Sequence, residues 1–193
     1  MKTALKPWNL GIVDKEKNIL RGSAPACRGN DPEAVLSWLK KNGIRTVLIL
    51  NKTEQGIDLE EELSLIEDLG LDVRCFNWQA LLKEKREAQE RQWPGIRSLL
   101  RNGASYVHCV WGVDRTGAVI ARARRELYGW DAKEACHELR SYGFAFGSTV
   151  QELQQYHKEV LDYFGFAWQD YQPLKPGSRD YENCVAKIET SIG

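Results

Sequence analysis

Cys109 and Arg115, six positions apart with Thr116 and Gly117 directly behind, are the residues whose types and spacing could do chemistry together. Cys109 ends an apolar run, and the helical pattern Val119, Ile120, Ala123, Leu127 follows Gly117. That order reads as strand, tight loop and helix N-terminus. A loop closing there turns backbone N–H groups inward and adds the positive end of the helix dipole, which together make an anion cradle. Such a field favours a thiolate over a thiol, so Cys109 is the candidate nucleophile. Arg115 can fork two parallel hydrogen bonds onto the equatorial oxygens of a phosphoryl group. Cradle, nucleophile and planar cation describe cleavage of a phosphate monoester. The competing reading is a buried strand cysteine followed by a surface arginine.

The string His108-Cys109-(five residues)-Arg115-Thr116-Gly117 resembles the signature of the protein tyrosine phosphatase superfamily, which includes dual-specificity and inositol-phosphate phosphatases. The resemblance covers roughly residues 18–164. The turn Arg21-Gly22-Ser23-Ala24-Pro25 is similar to the Arg-Ser-x-x-Pro turn of compact members. Leu127-Tyr128-Gly129-Trp130, followed by Ala132, Ala135 and Glu138, looks like their post-loop helices. The resemblance implies that Cys109 attacks phosphorus in line and that water then hydrolyses the cysteinyl-phosphate. Val110, Trp111, Gly112 and Val113 would form the substrate loop. Thr116 would stabilise the departing thiolate, or serve as a helix cap. His108 would orient the loop, or be a plain core histidine. Cys75 would be a redox partner of Cys109, or an inert buried thiol.

The leaving alcohol needs a proton, so a general acid is required. Most members of the superfamily place an Asp on the loop after the strand preceding the active-site strand. Here that loop starts at Asn77-Trp78-Gln79-Ala80, and no Asp occurs between Asp72 and Asp114. Asp114, inside the phosphate loop, is the expected acid, by similarity to myotubularin-like and some bacterial phosphatases. The alternatives are that Asp114 only solvates the loop, or that Glu84, Glu87 or Glu90 swings in.

For the substrate, a soluble polyphosphorylated molecule such as an inositol phosphate is the first expectation and a phosphotyrosyl protein the second. The inositol reading rests on cations where strand-end loops should converge: Arg21, Lys52, Lys83, Lys85 and Arg86. These lysines equally suit an ordinary helix surface. Against a membrane headgroup stands the apolar interior of the loop, Val110, Trp111 and Val113. A different class of reading is a binding module that holds phosphorylated partners without turnover. A sulfur-transfer or arsenate-reducing role is a remote further option.

The elements that must position this loop alternate. Asn18–Arg21 reads as a strand running into a turn over 22–25, and Asn30 or Asp31 caps a helix with Pro32 at its first position. Arg45–Leu50 reads as a strand covered on both faces, and Asp58 with Glu61 as a capping pair for the next helix. Asp72–Phe76 and Ser105–His108 are further strands. Leu81–Asn102 is helix-prone with a break expected at Trp93-Pro94. Helices are expected over Arg115–Tyr128, Asp131–Tyr142 and Ser148–Phe164. The expected fold class is α/β, a mostly parallel sheet of four to five strands flanked by helices, with a helical C-terminal half. Ligands in such sheets sit beyond the carboxyl ends of the strands, where Cys109 falls.

At 193 residues the expectation is a single phosphatase domain, with residues 165–193 as an irregular extension. Lys plus Arg and Asp plus Glu balance at 27 each, so nothing global points to nucleic acid or a membrane surface. No apolar run is long enough to span a bilayer. Met1–Trp8 is a poor secretory signal, and five irregularly spaced cysteines suit a reduced set, so a cytoplasmic location is expected. No zinc spacing occurs; no metal and no cofactor are expected. The expected partner is a phosphorylated small molecule or a phosphoprotein.

Overall fold

The computed structural model describes residues 6–51, 58–78, 86–144 and 151–165. In chain order the elements are β1 (Gly11–Asp14), β2 (Ile19–Ser23), α1 (Pro32–Lys41), β3 (Thr46–Ile49), α2 (Leu59–Asp68), β4 (Asp72–Cys75), α3 (Arg86–Asn102), β5 (Ser105–Cys109), α4 (Asp114–Tyr128), α5 (Ala132–Ser141) and α6 (Gln151–Tyr163). The sheet runs β1-β2-β5-β3-β4. β2, β5, β3 and β4 pair in parallel, and only β1 is antiparallel. The expected α/β class with a mostly parallel sheet is what forms.

β2, β3 and β5 each feed two cores, because successive side chains leave opposite faces. Val47, Ile49 and Tyr106 pack with Leu36 and Leu39 of α1 and Ile66 of α2. Leu48, Val107 and Cys109 point the other way, into a core built with Trp93, Ile96 and Leu100 of α3, Val119, Ile120 and Ala123 of α4, Leu139 of α5 and Val160 and Leu161 of α6. Cys109 and His108, neighbours in sequence, therefore serve different faces of the sheet.

Two local expectations are corrected and one strand is added. β1 pairs with β2 across the turn Lys15–Asn18, where Asn18 takes φ 54°. Gly22 and Ser23 belong to β2 rather than to a turn, because they pair with His108 and Cys109. α3 runs through Pro94 without a break. Pro94 removes a donor from the ladder at a cost of about 3 kcal/mol, which burial of Trp93, Ile96 and Leu100 at about 1.5–3 kcal/mol each offsets. The segment 81–85 and the expected cap Ser148 lie outside the described residues.

Candidate active site

Cys109 stands at the carboxyl end of β5, level with Ser23 of β2, and is 3 % exposed. The chain then turns through Val110–Val113 into α4. α1, α2 and α5 each begin under an Asp cap, Asp31, Asp58 and Asp131, whose side chains accept from first-turn amides; Asp131 and Glu134 form the full reciprocal box. α4 begins at Val113 with no side-chain cap. Its first amides are left for an anion, which the helix dipole favours.

The loop is held from outside by its carbonyls. The Val110 oxygen accepts from Ala24 N–H at 3.0 Å. The Gly112 oxygen accepts from Arg21 Nη2 at 2.8 Å and from Asn9 Nδ2 at 3.1 Å. In a trans peptide the carbonyl and the following N–H point in opposite directions. Tying these two oxygens to β2 and to the 8–10 segment therefore aims the N–H groups of Trp111 and Val113 away from the scaffold, across the loop. Gly112 has φ 67°, and a Cβ there would collide with the backbone of Gly22 and Ser23. The tight approach of loop to strand requires a glycine.

Arg21, expected among the pocket cations, is fully buried beneath the loop. Its guanidinium lies 3.8 Å from the Tyr142 ring centroid while Nη2 holds Gly112. Burial pulls the guanidinium down from the ordinary arginine range, with the charges of Tyr142, Glu138 and Cys109 acting in the other direction. Arg21 is thus a positive charge under the floor of the cradle. Lys52, Lys83 and Lys85 lie outside the described residues, as does Glu84.

His108 faces α2, where its Nε2 comes within 2.9 Å of Glu62 Oε1, and both side chains are buried. Tyr106 stacks on the imidazole at 5.4 Å and donates its hydroxyl to the Ser23 carbonyl at 2.5 Å. Burial, and then the charge of Glu62, raises the Tyr106 phenol well above its usual range, so the hydroxyl stays a donor. Thr116 is fully buried, and its Oγ1 has no hydrogen-bond partner among the described residues. Arg115 is half-buried in the first turn of α4.

Asp114 also lies in that first turn, and its Oδ1 sits 3.0 Å from His157 Nε2 of α6. Of the competing acids, Glu90 gives both oxygens to Arg122 at 2.8 Å each, and Glu87 is exposed beside Arg91. Trp78, after β4, is buried and packs near Trp93 at 6.3 Å. At the mouth, Trp111 is 54 % exposed. The Trp8 ring meets it edge-on at 6.1 Å, and Arg28 covers Trp8 at 4.3 Å.

A redox pair would need Cys75 on the strand next to Cys109, and the alternative is an inert buried thiol. β3 lies between β4 and β5, and Cys75 is in register with Ile49 and so with His108, on the face away from Cys109. Two strand spacings of about 4.8 Å separate the strands, and Cys75 is exposed rather than buried. Asn9, Glu62 and His157 were not singled out from sequence. Glu62 and His157 had a signal: each occupies an apolar-stripe position, with Leu59, Leu63 and Ile66 or with Val160, Leu161 and Phe164.

No family model and no curated protein matches this sequence. Solved structures do. The core catalytic domain of the PP-IP phosphatase Siw14 from S. cerevisiae is similar at 19 % identity and TM-score 0.57, over 82 % of this chain and 86 % of that one. TpbA of P. aeruginosa is similar at 20 % identity and TM-score 0.58, over 81 % and 88 %. A cysteine-to-serine form of TpbA in complex with pTyr matches at 16 % identity and TM-score 0.54, over 94 % and 96 %. Sheet order, loop and helices together give this chain the α/β fold that Siw14 and TpbA share.

Proposed function

We propose that this protein is a cysteine-dependent phosphatase that cleaves phosphate monoesters through a cysteinyl-phosphate. The observation that carries the proposal is the uncapped start of α4 directly after Cys109, with the loop carbonyls of Val110 and Gly112 tied outward. A dianionic phosphoryl group is the complement of that arrangement. In the first step the Cys109 Sγ–P bond forms as the ester P–O bond breaks, and the leaving oxygen takes a proton from the Asp114 carboxyl. In the second, water attacks phosphorus, its proton returns to Asp114, and the S–P bond breaks with the Thr116 hydroxyl supporting the departing sulfur. Arg115 holds the equatorial oxygens in both. The likeness to phosphatases of known fold supports this reading.

The test is mass spectrometry of rapidly quenched enzyme during turnover of an aryl phosphate. A Cys109 peptide heavier by one phosphoryl group is expected, absent in Cys109→Ser. Hydrolysis that persists in Cys109→Ser overturns the proposal, as does wild-type enzyme that binds vanadate but never turns over; the latter describes a binding module.

Two ester classes compete. Arg21 is withdrawn under the loop, so the soluble inositol-phosphate reading rests on Lys52, Lys83, Lys85 and Arg86; Siw14, a PP-IP phosphatase, keeps it in view. The exposed Trp111, flanked by Trp8, favours a phosphotyrosyl ring instead, and TpbA has been solved with pTyr. Purified enzyme against a panel of inositol phosphates and phosphotyrosyl peptides decides, by specificity constant, which is the substrate. The cytoplasmic expectation stays a proposal; among the described residues no helix is long and apolar enough to cross a membrane.

A further inference from the structure

An aspartate that protonates a leaving group has to keep one direction, and Asp114 lies in the first turn of α4 with 36 % of its side chain exposed. An unrestrained carboxyl sweeps among rotamers and spends little time facing an ester oxygen. The contact with His157 narrows that sweep. Its Nε2 is 3.0 Å from Asp114 Oδ1, its side chain is 2 % exposed, and the edge of its ring meets buried Phe144 at 4.8 Å. An imidazole costs free energy to bury unless its nitrogens find partners. Here the packing of α6 through Val160 and Leu161, with Phe164 just beyond it, drives the ring inward, and Asp114 of the phosphate loop lies within its reach.

We infer that His157 is a positioning residue for the general acid. It donates Nε2–H to Oδ1 of Asp114 and so fixes the carboxyl plane over the loop. The inference rests on the phosphatase reading and on Asp114 as its acid. The proton balance is simple. Asp114 loses one proton to the leaving oxygen as the ester P–O bond breaks, and regains one from water as the second P–O bond forms. His157 keeps its own proton throughout and holds the carboxylate that exists between the two steps. The aspartate–histidine contact also makes α6, 43 residues along the chain, part of the catalytic apparatus. In the competing account the pair merely staples α6 to α4, and its loss would lower stability and slow every substrate alike.

The experiment compares wild type, Asp114→Asn, His157→Gln and the double variant on dinitrophenyl phosphate, whose leaving group needs no proton, and on phenyl phosphate, whose leaving group does. His157→Gln is expected to lose about tenfold or more on phenyl phosphate but less than about threefold on the dinitrophenyl ester. On phenyl phosphate the double variant is expected to match Asp114→Asn within about threefold, since the two residues act as one unit. Equal losses on both esters in His157→Gln, alongside a leaving-group-dependent loss in Asp114→Asn, overturn the positioning role and leave the acid standing. If Asp114→Asn itself shows no leaving-group dependence, Asp114 is not the acid and both assignments fall. Should His157→Gln fail to fold, nitrogen-resolved NMR of the His157 ring in wild type and Asp114→Asn decides. A changed Nε2–H resonance supports the contact; an unchanged one overturns it.

Discussion

Glu62 Oε1 on α2 and His108 Nε2 on β5 meet at 2.9 Å in the interior, on the face of the sheet opposite Cys109. The approach is close but off the ideal hydrogen-bond direction. His108 Nδ1 lies 3.4 Å from the Cys109 carbonyl, so the pair leads from α2 to the backbone of Cys109. Removing the carboxylate leaves the Nε2 side of a buried imidazole without its neighbour. Glu62→Ala is expected to cost about 1–3 kcal/mol of stability by denaturant unfolding. A loss of turnover larger than the unfolded fraction explains would show that the pair also orients Cys109.

Gly112→Ala puts a methyl group into the backbone of Gly22 and Ser23 at a residue whose φ is 67°. The loop can escape only by lifting off β2, which breaks the contacts from Arg21 and Asn9 to its carbonyl. Hydrolysis should fall by about a hundredfold or more, the order seen when one oxyanion donor is lost. Melting should show whether the fold survives. A variant with near-normal turnover would mean the amides are not aimed by this turn.

Arg21→Met keeps much of the buried volume and deletes the charge and the Nη2 donor to Gly112. A hydrogen bond to a charged group is worth about 1.5–3 kcal/mol, and a comparable loss of stability is expected. The larger effect should be on phosphate affinity, because the positive charge under the loop goes with it. Unchanged inhibition by inorganic phosphate would assign Arg21 a purely structural role.

Trp111→Ala removes the exposed wall at the mouth while leaving Cys109 untouched. If that wall receives an aromatic ring, KM for a phosphotyrosyl peptide should rise by about tenfold, and KM for an alkyl phosphate should not move. Parallel changes in both would exclude a stacking role.

Burial pushes the Cys136 thiol up to about 12 from an ordinary value of 9.0. The folded state therefore holds this proton more tightly than the unfolded chain. Its contribution to stability is complete below about 9 and is lost as pH rises towards about 12. In the folded protein Cys136 should resist iodoacetamide at mildly alkaline pH, and denaturation midpoints should fall on the alkaline side. Burial raises the Cys27 thiol as well, so it should be slow to label too. Rapid labelling of Cys136 before unfolding would contradict this packing.

Much of the fold is local information. Asp31, Asp58 and Asp131 sit one residue before their helices and cap them as their types dictate. Of the run at 45–50, Val47 to Leu50 are buried on the two faces, as in a covered parallel strand, while Arg45 is exposed. Pro94 is the instructive failure: a strong local rule was outweighed by three side chains whose burial depends on α4, far along the chain.

The site divides in the same way. Cys109, Asp114, Arg115 and Thr116 fall within one short stretch, so a loop between strand and helix keeps them near one another whatever surrounds it, and residue type and spacing alone propose them. Asn9, Arg21, Glu62 and His157 act on that loop from four separate segments. Spacing along the chain carries no record of which strand lies beside which. Only the order β1-β2-β5-β3-β4, with helices on both faces, puts Arg21 beneath Gly112, Glu62 behind His108 and β3 between Cys75 and Cys109.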